Sequence, residues 1–93
     1  MPFPPQTPMP FRREIVEEID EGQLGCYGLL RGETYVFIGK GDIRARLLAH
    51  LGGDEACVTR ERPTRWVGVV TPRADDLLPE LVRDHAPLCN PGA

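Results

Sequence analysis

The sequence predicts an α+β fold: a small three-stranded antiparallel sheet flanked by helices, in the order β-β-α-β-α, with an extra helix at the N-terminal side. Two short strand-like runs, residues 25–30 and 35–39, are separated by four residues that include Gly32, as in a tight hairpin. From residue 43 the apolar residues recur at helical spacing. A third run, residues 64–70, is enriched in β-branched and aromatic side chains and predicts the last strand.

The chain begins with a proline-rich segment. Five of its first ten residues are proline, so residues 1–10 are expected to form a flexible tail without sheet ladders. Residues 11–21 predict an amphipathic helix, because Phe11, Ile15, Val16 and Ile19 share one face while the remaining positions are charged. We therefore divide the chain into the tail, a helix with its linker over 11–24, and a domain over 25–93.

Two further helices follow the hairpin. The first covers about residues 43–51, after the N-cap candidate Asp42 and before a glycine pair. Residues 52–63 carry turn formers and charges and predict a loop or a short irregular helix. The second helix begins no earlier than Asp75, because Pro79 is tolerated only in a first turn, and it ends near residue 85.

Composition limits the classes of function. Ninety-three residues make one small domain, and no apolar run approaches the roughly 20 residues that span a bilayer. The first ten residues lack the features of a signal peptide, so a cytoplasmic location is expected. The formal net charge is −3, which argues against strong binding of nucleic acid through charge alone. Six basic side chains either form a local patch or are scattered and paired, and the sequence leaves both open: Lys40, Arg44, Arg46, Arg60, Arg62 and Arg65.

The three cysteines are odd in number and widely spaced: Cys26, Cys57 and Cys89. In a reducing compartment they predict buried thiols rather than a disulfide. No Cys-x-x-Cys pair supports a zinc site built from Cys57, His85 and Cys89.

The hairpin and the following helix carry a recognisable pattern. The two strands contain Gly25-Cys26-Tyr27 and Phe37-Ile38-Gly39, and the helix carries Arg46 and His50 one turn apart. This pattern resembles the GIY-YIG nuclease family, with Cys26 in place of the first isoleucine and Phe37 in place of the second tyrosine. The closing pattern of two apolar helix residues, a proline and an asparagine also matches, at Leu81, Val82, Pro87 and Asn90. The resemblance covers about residues 25–90.

The resemblance implies catalytic roles for three residues. Tyr27 would help to activate or orient the attacking water, or else simply pack on the sheet. Arg46 would hold the scissile phosphate through a bidentate fork, or else pair with Asp42 on the helix surface. His50 would contact phosphate or share a proton, or else cap the helix end. Nucleic acid would be bound by Lys40, Arg44 and Arg46, and the supporting positions would be Gly25, Phe37, Gly39 and Asn90.

The metal position departs from the family. The resemblance places the family's metal-binding glutamate at Leu78, which offers no hard oxygen ligand. Asp75 and Glu80 are weak substitutes, and Asp75 has the alternative task of capping its helix. No cofactor is therefore expected with certainty, and Mg²⁺ is expected only if the chain is active.

Three functions remain open. The first is a domain that engages nucleic-acid phosphate, DNA in preference to RNA, with endonuclease activity weak or lost. The second is a protein-interaction module that docks a partner through residues 11–21 and the tail. The third is an active Mg²⁺-dependent endonuclease that uses Asp75 or Glu80. No membrane partner is expected.

Overall fold

The computed structural model describes residues 2–90, which form one sheet with helices packed on both of its faces. Its four strands are β1 (Met9–Pro10), β2 (Leu24–Arg31), β3 (Thr34–Asp42) and β4 (Arg65–Val70). All pairs are antiparallel and the strand order is β1-β4-β2-β3. The predicted α+β fold is confirmed, and the two-residue strand β1 is added to the three strands that the sequence predicted. The end of the predicted domain, residues 91–93, lies outside the described residues.

Four helices accompany the sheet: α1 (Arg13–Val16), α2 (Ile43–Leu51), α3 (Ala56–Glu61) and α4 (Ala74–His85). The helix predicted over 43–51 matches α2, and Asp42 is its N-cap, accepting a hydrogen bond from the Ala45 amide at 3.3 Å. The segment predicted as a loop or irregular helix contains the six-residue helix α3.

The strand β2 lies at the centre of the sheet, between β3 and β4. Its close approach to β4 requires a glycine, because a Cβ atom on Gly25 would lie 2.0 Å from the Val69 carbonyl oxygen. Side chains alternate between the two faces of β2, so that Tyr27 and Leu29 belong to one apolar cluster and Cys26 and Leu30 to the other.

Each face of the sheet carries its own core. Helices α1, α2 and α3 contribute Val16, Leu47 and Val58 to the cluster that contains Tyr27. Helix α4 contributes Leu81 to the cluster that contains Cys26. The two clusters are separated by the backbone of the sheet, which places α2 and α4 on opposite sides.

The expectation that the proline-rich start forms no sheet ladder is wrong. Met9–Pro10 pairs with Arg65 and Trp66 at the edge of the sheet. Proline is tolerated on an edge strand, where its missing amide hydrogen faces away from the neighbouring strand. Further along the same edge the Gln6 amide accepts from the Gly68 N–H and donates to the Gly68 carbonyl, both at 3.0 Å. The Gln6 side chain therefore makes the two hydrogen bonds that a neighbouring strand would make with Gly68.

Phe3 holds the beginning of this segment against the domain. Its ring is 8% exposed and lies in the cluster on the α4 side of the sheet. It stacks on Tyr35 and His85 with ring centroids 5.9 and 5.7 Å away, and its amide donates to His85 Nε2 at 3.3 Å. Residues 2–10 are therefore packed on the domain rather than forming a detached tail.

The N-terminal helix is shorter than predicted. Only Arg13–Val16 is helical, whereas the apolar spacing predicted residues 11–21. Acidic side chains follow at positions 17, 18, 20 and 21, where the negative end of a longer helix would be unfavourable for them. The electrostatic cost of acidic side chains at its C-terminal end stops the helix despite the apolar periodicity. Burial of Val16 stabilises the single turn that remains.

Helix α4 begins one residue earlier than predicted, at Ala74, and accommodates Pro79 beyond its first turn. The proline removes the hydrogen bond that its amide would give to the Asp75 carbonyl. Both residues are exposed, so water can satisfy that carbonyl.

The prediction of three reduced thiols is also wrong. Cys57 of α3 and Cys89 form a disulfide with a Cα–Cα distance of 5.7 Å, and only Cys26 is a free, buried thiol. The fold brings them together because residues after α4 run along β3, where the Cys89 amide donates to the Val36 carbonyl at 2.8 Å.

Within residues 2–90 no helix is long and apolar enough to cross a membrane.

Candidate functional site

A buried hydrogen bond joins the hairpin to helix α2. The Tyr27 hydroxyl lies 2.7 Å from His50 Nε2. Tyr27 is 1% exposed and His50 is 4% exposed, so the pair is closed to bulk solvent. Both residues were singled out from the sequence, and the structure brings them into direct contact.

The hairpin register makes room for the tyrosine ring. Tyr27 pairs with Gly39 across the strands, and a Cβ atom at position 39 would lie 2.4 Å from the Tyr27 hydroxyl oxygen. Only glycine leaves this space. Phe37 lies on the same face, with its ring centroid 6.3 Å from Tyr27 and edge-on to His50 at 5.0 Å. It closes the apolar side of the pair.

Arg46 covers the polar side. It lies one turn before His50 on α2, and its guanidinium interacts with the Tyr27 hydroxyl. Its Nη2 atom is 3.2 Å from Asp54 Oδ2, and the side chain is 38% exposed. Of the three predicted catalytic side chains, Arg46 alone reaches the surface.

Asp54 is a member of this cluster that the sequence analysis missed. One carboxylate oxygen bonds Arg46, and the other lies 3.0 Å from His50 Nδ1. The second contact is electrostatic, because its angles fall outside those of a hydrogen bond and Nδ1 is left without an aligned partner. The signal was the spacing: Asp54 is four residues after His50 and follows the glycines that end α2.

Burial sets the protonation of the pair. Burial raises the pKa of Tyr27, against the opposing effect of the Arg46 guanidinium. Burial also lowers the pKa of His50, and the Asp54 carboxylate opposes this shift. At neutral pH the phenol is therefore protonated and the imidazole neutral, so we assign the Tyr27 hydroxyl as donor and His50 Nε2 as acceptor.

The two other residues predicted to bind nucleic acid, Lys40 and Arg44, are each paired with an acid. Lys40 pairs with Asp75, and Arg44 Nη1 lies 3.1 Å from Glu21 Oε1. The alternative partner proposed for Arg46 does not form, because Asp42 caps α2 and accepts from the Gly22 amide at 2.9 Å. Lys40, Arg44 and Arg46 are thus paired with acids, whereas Arg62 has no ion-pair partner within residues 2–90.

Asn90 supports the hairpin from the end of the chain. Its side chain accepts from the Ile38 amide at 2.8 Å and donates to the Ile38 carbonyl at 2.7 Å. This pair of hydrogen bonds to the backbone fixes β3 between Phe37 and Gly39, the two positions that border the Tyr27 ring. Asn90 does not itself contact the cluster of Tyr27, Arg46 and His50 in any bond of the described residues.

Solved structures place this architecture. Two structures of the GIY-YIG N-terminal endonuclease domain of UvrC from Thermotoga maritima superpose with a TM-score of 0.70, covering 83% of this chain and 97% of that domain. One is a Tyr-to-Phe point mutant bound to its catalytic divalent cation, at 22% identity, and the other is bound to magnesium, at 21% identity. The chain has the GIY-YIG fold. No protein-family model and no curated protein sequence matches this chain.

The GIY-YIG fold raises the question of a divalent cation, and the residues present do not fit one. Leu78 is half-buried and packs with the apolar cluster on the α4 side of the sheet. The Asp75 carboxylate is bound by the Lys40 ammonium, and Glu80 lies with Thr71, Asp76 and Leu77 around a different groove. Across residues 2–90 no group of three His, Cys, Asp or Glu side chains is placed to hold a metal ion. The donor set of this fold's cation site is therefore not assembled here.

Proposed function

We propose that this chain is a member of the GIY-YIG family that engages nucleic-acid phosphate through Arg46 and whose endonuclease activity is weak or lost. The observation that carries the proposal is the contrast between two positions. Arg46 is braced by Tyr27 and Asp54 yet remains partly exposed, whereas Leu78 is packed against apolar side chains.

The guanidinium is suited to phosphate because its planar fork donates two parallel hydrogen bonds. The Arg46 guanidinium is held near the surface by the ion pair with Asp54, 3.2 Å away. A phosphate would have to displace Asp54 from Arg46, and nearby Asp75 from Lys40 and Glu21 from Arg44. Exposed ion pairs of this kind contribute only about 0–1 kcal/mol each, so the exchange is feasible but leaves binding weak and salt-sensitive.

The buried pair supplies a protonated phenol and a neutral imidazole beneath the phosphate position. In this arrangement His50 Nε2 accepts a hydrogen bond from Tyr27, and the raised pKa of Tyr27 with the lowered pKa of His50 keeps the proton on the phenol. A divalent cation would ordinarily neutralise charge on the transferring phosphoryl group. Leu78 offers that cation no ligand, so we expect hydrolysis to be slower by orders of magnitude than in a chain with a carboxylate there.

The binding half of the proposal is tested with Arg46→Ala. Fluorescence anisotropy with labelled DNA and RNA at low salt should show weak binding by the native chain, lost in this variant. Arg65→Ala is the matched control, since Arg65 is exposed and its guanidinium bonds the Gly32 carbonyl away from the site. Equal binding by the Arg46→Ala variant would remove Arg46 from the phosphate site.

The cleavage half is tested with Leu78→Glu on plasmid and branched DNA over Mg²⁺ and Mn²⁺ series. We expect little cleavage by the native chain and a gain in the variant. Leu78→Gln is the control, because it introduces the same bulk and polarity without a carboxylate. Robust cleavage by the native chain that Asp75→Ala or Glu80→Ala abolishes would instead establish the third function, an active Mg²⁺-dependent endonuclease.

A protein-interaction module on this fold is the second candidate. It is favoured by the pairing of Lys40 and Arg44 with acids and by the exposed acidic side chains between positions 14 and 21. Leu24 and Val70, 59% and 60% exposed, add apolar surface. Absence of binding to any nucleic acid at low salt, together with capture of a partner that depends on residues 14–21, would favour this function.

The location in the cell remains a prediction. A cytoplasmic location was expected from the start of the sequence, whereas the Cys57–Cys89 disulfide is a bond that usually persists in oxidising compartments. Thiol labelling of the protein in intact cells, before and after reduction, distinguishes a cytoplasmic location from an oxidising compartment.

A further inference from the structure

We propose that an open cavity beside His50 receives an unpaired nucleobase, so that the ligand of this site is single-stranded or locally unpaired nucleic acid. This inference rests on the proposed phosphate contact at Arg46. It adds a second contact on the same strand and a preference that charge alone does not give.

The cavity has the size and lining of a site for a planar heterocycle. Its volume is about 380 Å³, within the range of roughly 300–1,000 Å³ for small-molecule sites. An aromatic ring, aliphatic side chains, one arginine and the backbone of His50 line it: Phe11, Leu51, Val58, Pro63, Arg62 and His50. A base that leaves its stack is bound in proteins by apolar walls that carry few polar groups.

His50 lines the cavity through its backbone, because its side chain is 0% exposed. Its side chain is fully buried, and Nδ1 has no aligned hydrogen bond although Asp54 lies 3.0 Å away. With Nε2 accepting from Tyr27, the neutral ring carries its proton on Nδ1. This N–H lies beside the Asp54 carboxylate and is closed to a ligand, so the contacts to a base come from the other residues that line the cavity.

Arg62 supplies a cation at the cavity without an internal counterion. Within residues 2–90 its guanidinium has no ion-pair partner, unlike Lys40, Arg44 and Arg46. Its backbone has φ +52°, a left-handed conformation that disfavours side chains with a Cβ atom. A strained position that holds an unpaired arginine beside an apolar cavity fits an anionic ligand with a flat apolar part, which describes a nucleotide.

The cavity lies next to the proposed phosphate site, because Gly53 lines it and the following residue, Asp54, pairs with Arg46. His50 lines the cavity and also bonds Tyr27, while Asp54 joins His50 to Arg46. A strand whose phosphate lies at Arg46 therefore has one adjacent base near the cavity. A paired base in a duplex is stacked and cannot enter, so duplex should bind less well than a single strand.

The test compares three labelled ligands at low salt by anisotropy: oligothymidylate, an abasic strand of the same length, and a duplex. We expect oligothymidylate to bind roughly tenfold more tightly than the other two, the effect of stacking one base. Equal binding of the abasic strand would overturn the base site and leave the phosphate contact standing. Equal or tighter binding of duplex would also overturn it. Binding of none of the three would overturn the proposed function and this inference together.

Two variants locate the effect. Arg62→Gly removes the guanidinium and also relieves the left-handed backbone, so the fold is not put at risk. It should remove most of the preference for the base-bearing strand, as should Phe11→Ala. Arg65→Ala is the control and should leave the preference intact. In NMR spectra the His50 backbone amide signal should shift with oligothymidylate and not with the abasic strand; a preference for oligothymidylate that survives Arg62→Gly without that shift would place the base elsewhere.

Discussion

The two halves of the proposed nuclease-like site, a phosphate half and a metal half, differ sharply in this chain. The phosphate half is built from one hairpin and the helix that follows it, and Tyr27, Arg46, His50 and Asp54 are held together by direct contacts. The metal half would come from α4, on the opposite face of the sheet, where Leu78 is packed and Asp75 is paired with Lys40. Burial of Tyr27 and His50 fixes the first half. The side chains of the second half are exposed or apolar and are not arranged as ligands of a cation.

This difference shows why one half can persist without the other. The buried pair of Tyr27 and His50 stabilises the fold, because removing either partner leaves a polar group unsatisfied in the core. A carboxylate at position 78 would give no such benefit, since it would place charge beside apolar side chains. We therefore expect substitutions in the phosphate half and a charge introduced at Leu78 to reduce stability, whereas loss of the exposed Asp75 carboxylate should leave it nearly unchanged.

The largest effect is expected for Gly39→Ala. The new methyl group would lie 2.4 Å from the Tyr27 hydroxyl oxygen, so the ring must move and the bond to His50 is lost. We expect a loss of about 3 kcal/mol in the free energy of unfolding, the upper end for overpacking, measured by urea denaturation. Gly52→Ala is the control, because its methyl group meets nothing closer than 3.4 Å. Equal stability of the two variants would show that the ring is not confined.

Tyr27→Phe should cost less, about 1–2 kcal/mol, because it removes only the hydroxyl and leaves His50 Nε2 buried without a partner. The matched substitution is Tyr35→Phe, since the Tyr35 hydroxyl bonds no group within residues 2–90. Chemical denaturation of both variants side by side measures the difference. If both lose the same stability, the Tyr27–His50 bond contributes nothing.

A smaller effect should appear as a dependence of stability on pH. Burial lowers the pKa of His50, while Asp54 and Glu55 oppose this shift and Arg46 adds to it. The unfolded chain therefore binds a proton near pH 6.5, before the folded chain does, and the free energy of unfolding falls as the pH drops from about 6.5 through the lower folded pKa.

His50→Gln should reduce this slope, measured by denaturation at several pH values. Burial lowers the pKa of His85 as well, so His85→Gln should remove a separate part of the slope. An unchanged slope in the His50→Gln variant would mean that His50 titrates alike in the folded and unfolded chains.

The smallest effect is expected for Asp75→Ala in the metal half. The carboxylate is 86% exposed and its ion pair with Lys40 contributes at most about 1 kcal/mol. Thermal unfolding should shift little, and Mg²⁺ or Mn²⁺ should raise the melting temperature of neither the native chain nor the variant. A rise with Mn²⁺ in the native chain that Asp75→Ala removes would show that the metal half binds a cation after all.

Some structural features could be predicted from local sequence and others could not. The strands 25–30, 35–39 and 64–70 and the helix 43–51 follow from period-2 and helical spacing and lie within a few residues of β2, β3, β4 and α2. Local spacing could not show that Gln6 replaces a strand partner of Gly68 or that Cys57 meets Cys89, because these contacts join residues 62 and 32 positions apart. Asp54 was missed for a different reason: it is only four residues after His50, but its contacts depend on how the chain leaves the end of α2.

By itself the sequence determined the hairpin and its helix, because turn chemistry and apolar periodicity act over a few residues. The candidate set of Tyr27, Arg46 and His50 came from the resemblance of that pattern to the GIY-YIG family. The sequence also showed that position 78 lacks a carboxylate. Only the tertiary structure decided that Tyr27 and His50 are buried, that Arg46 alone of the three reaches solvent, and that Lys40, Arg44 and Arg46 each have an acidic partner. Burial and ion pairing depend on which distant segments pack together, and packing is a property of the whole fold.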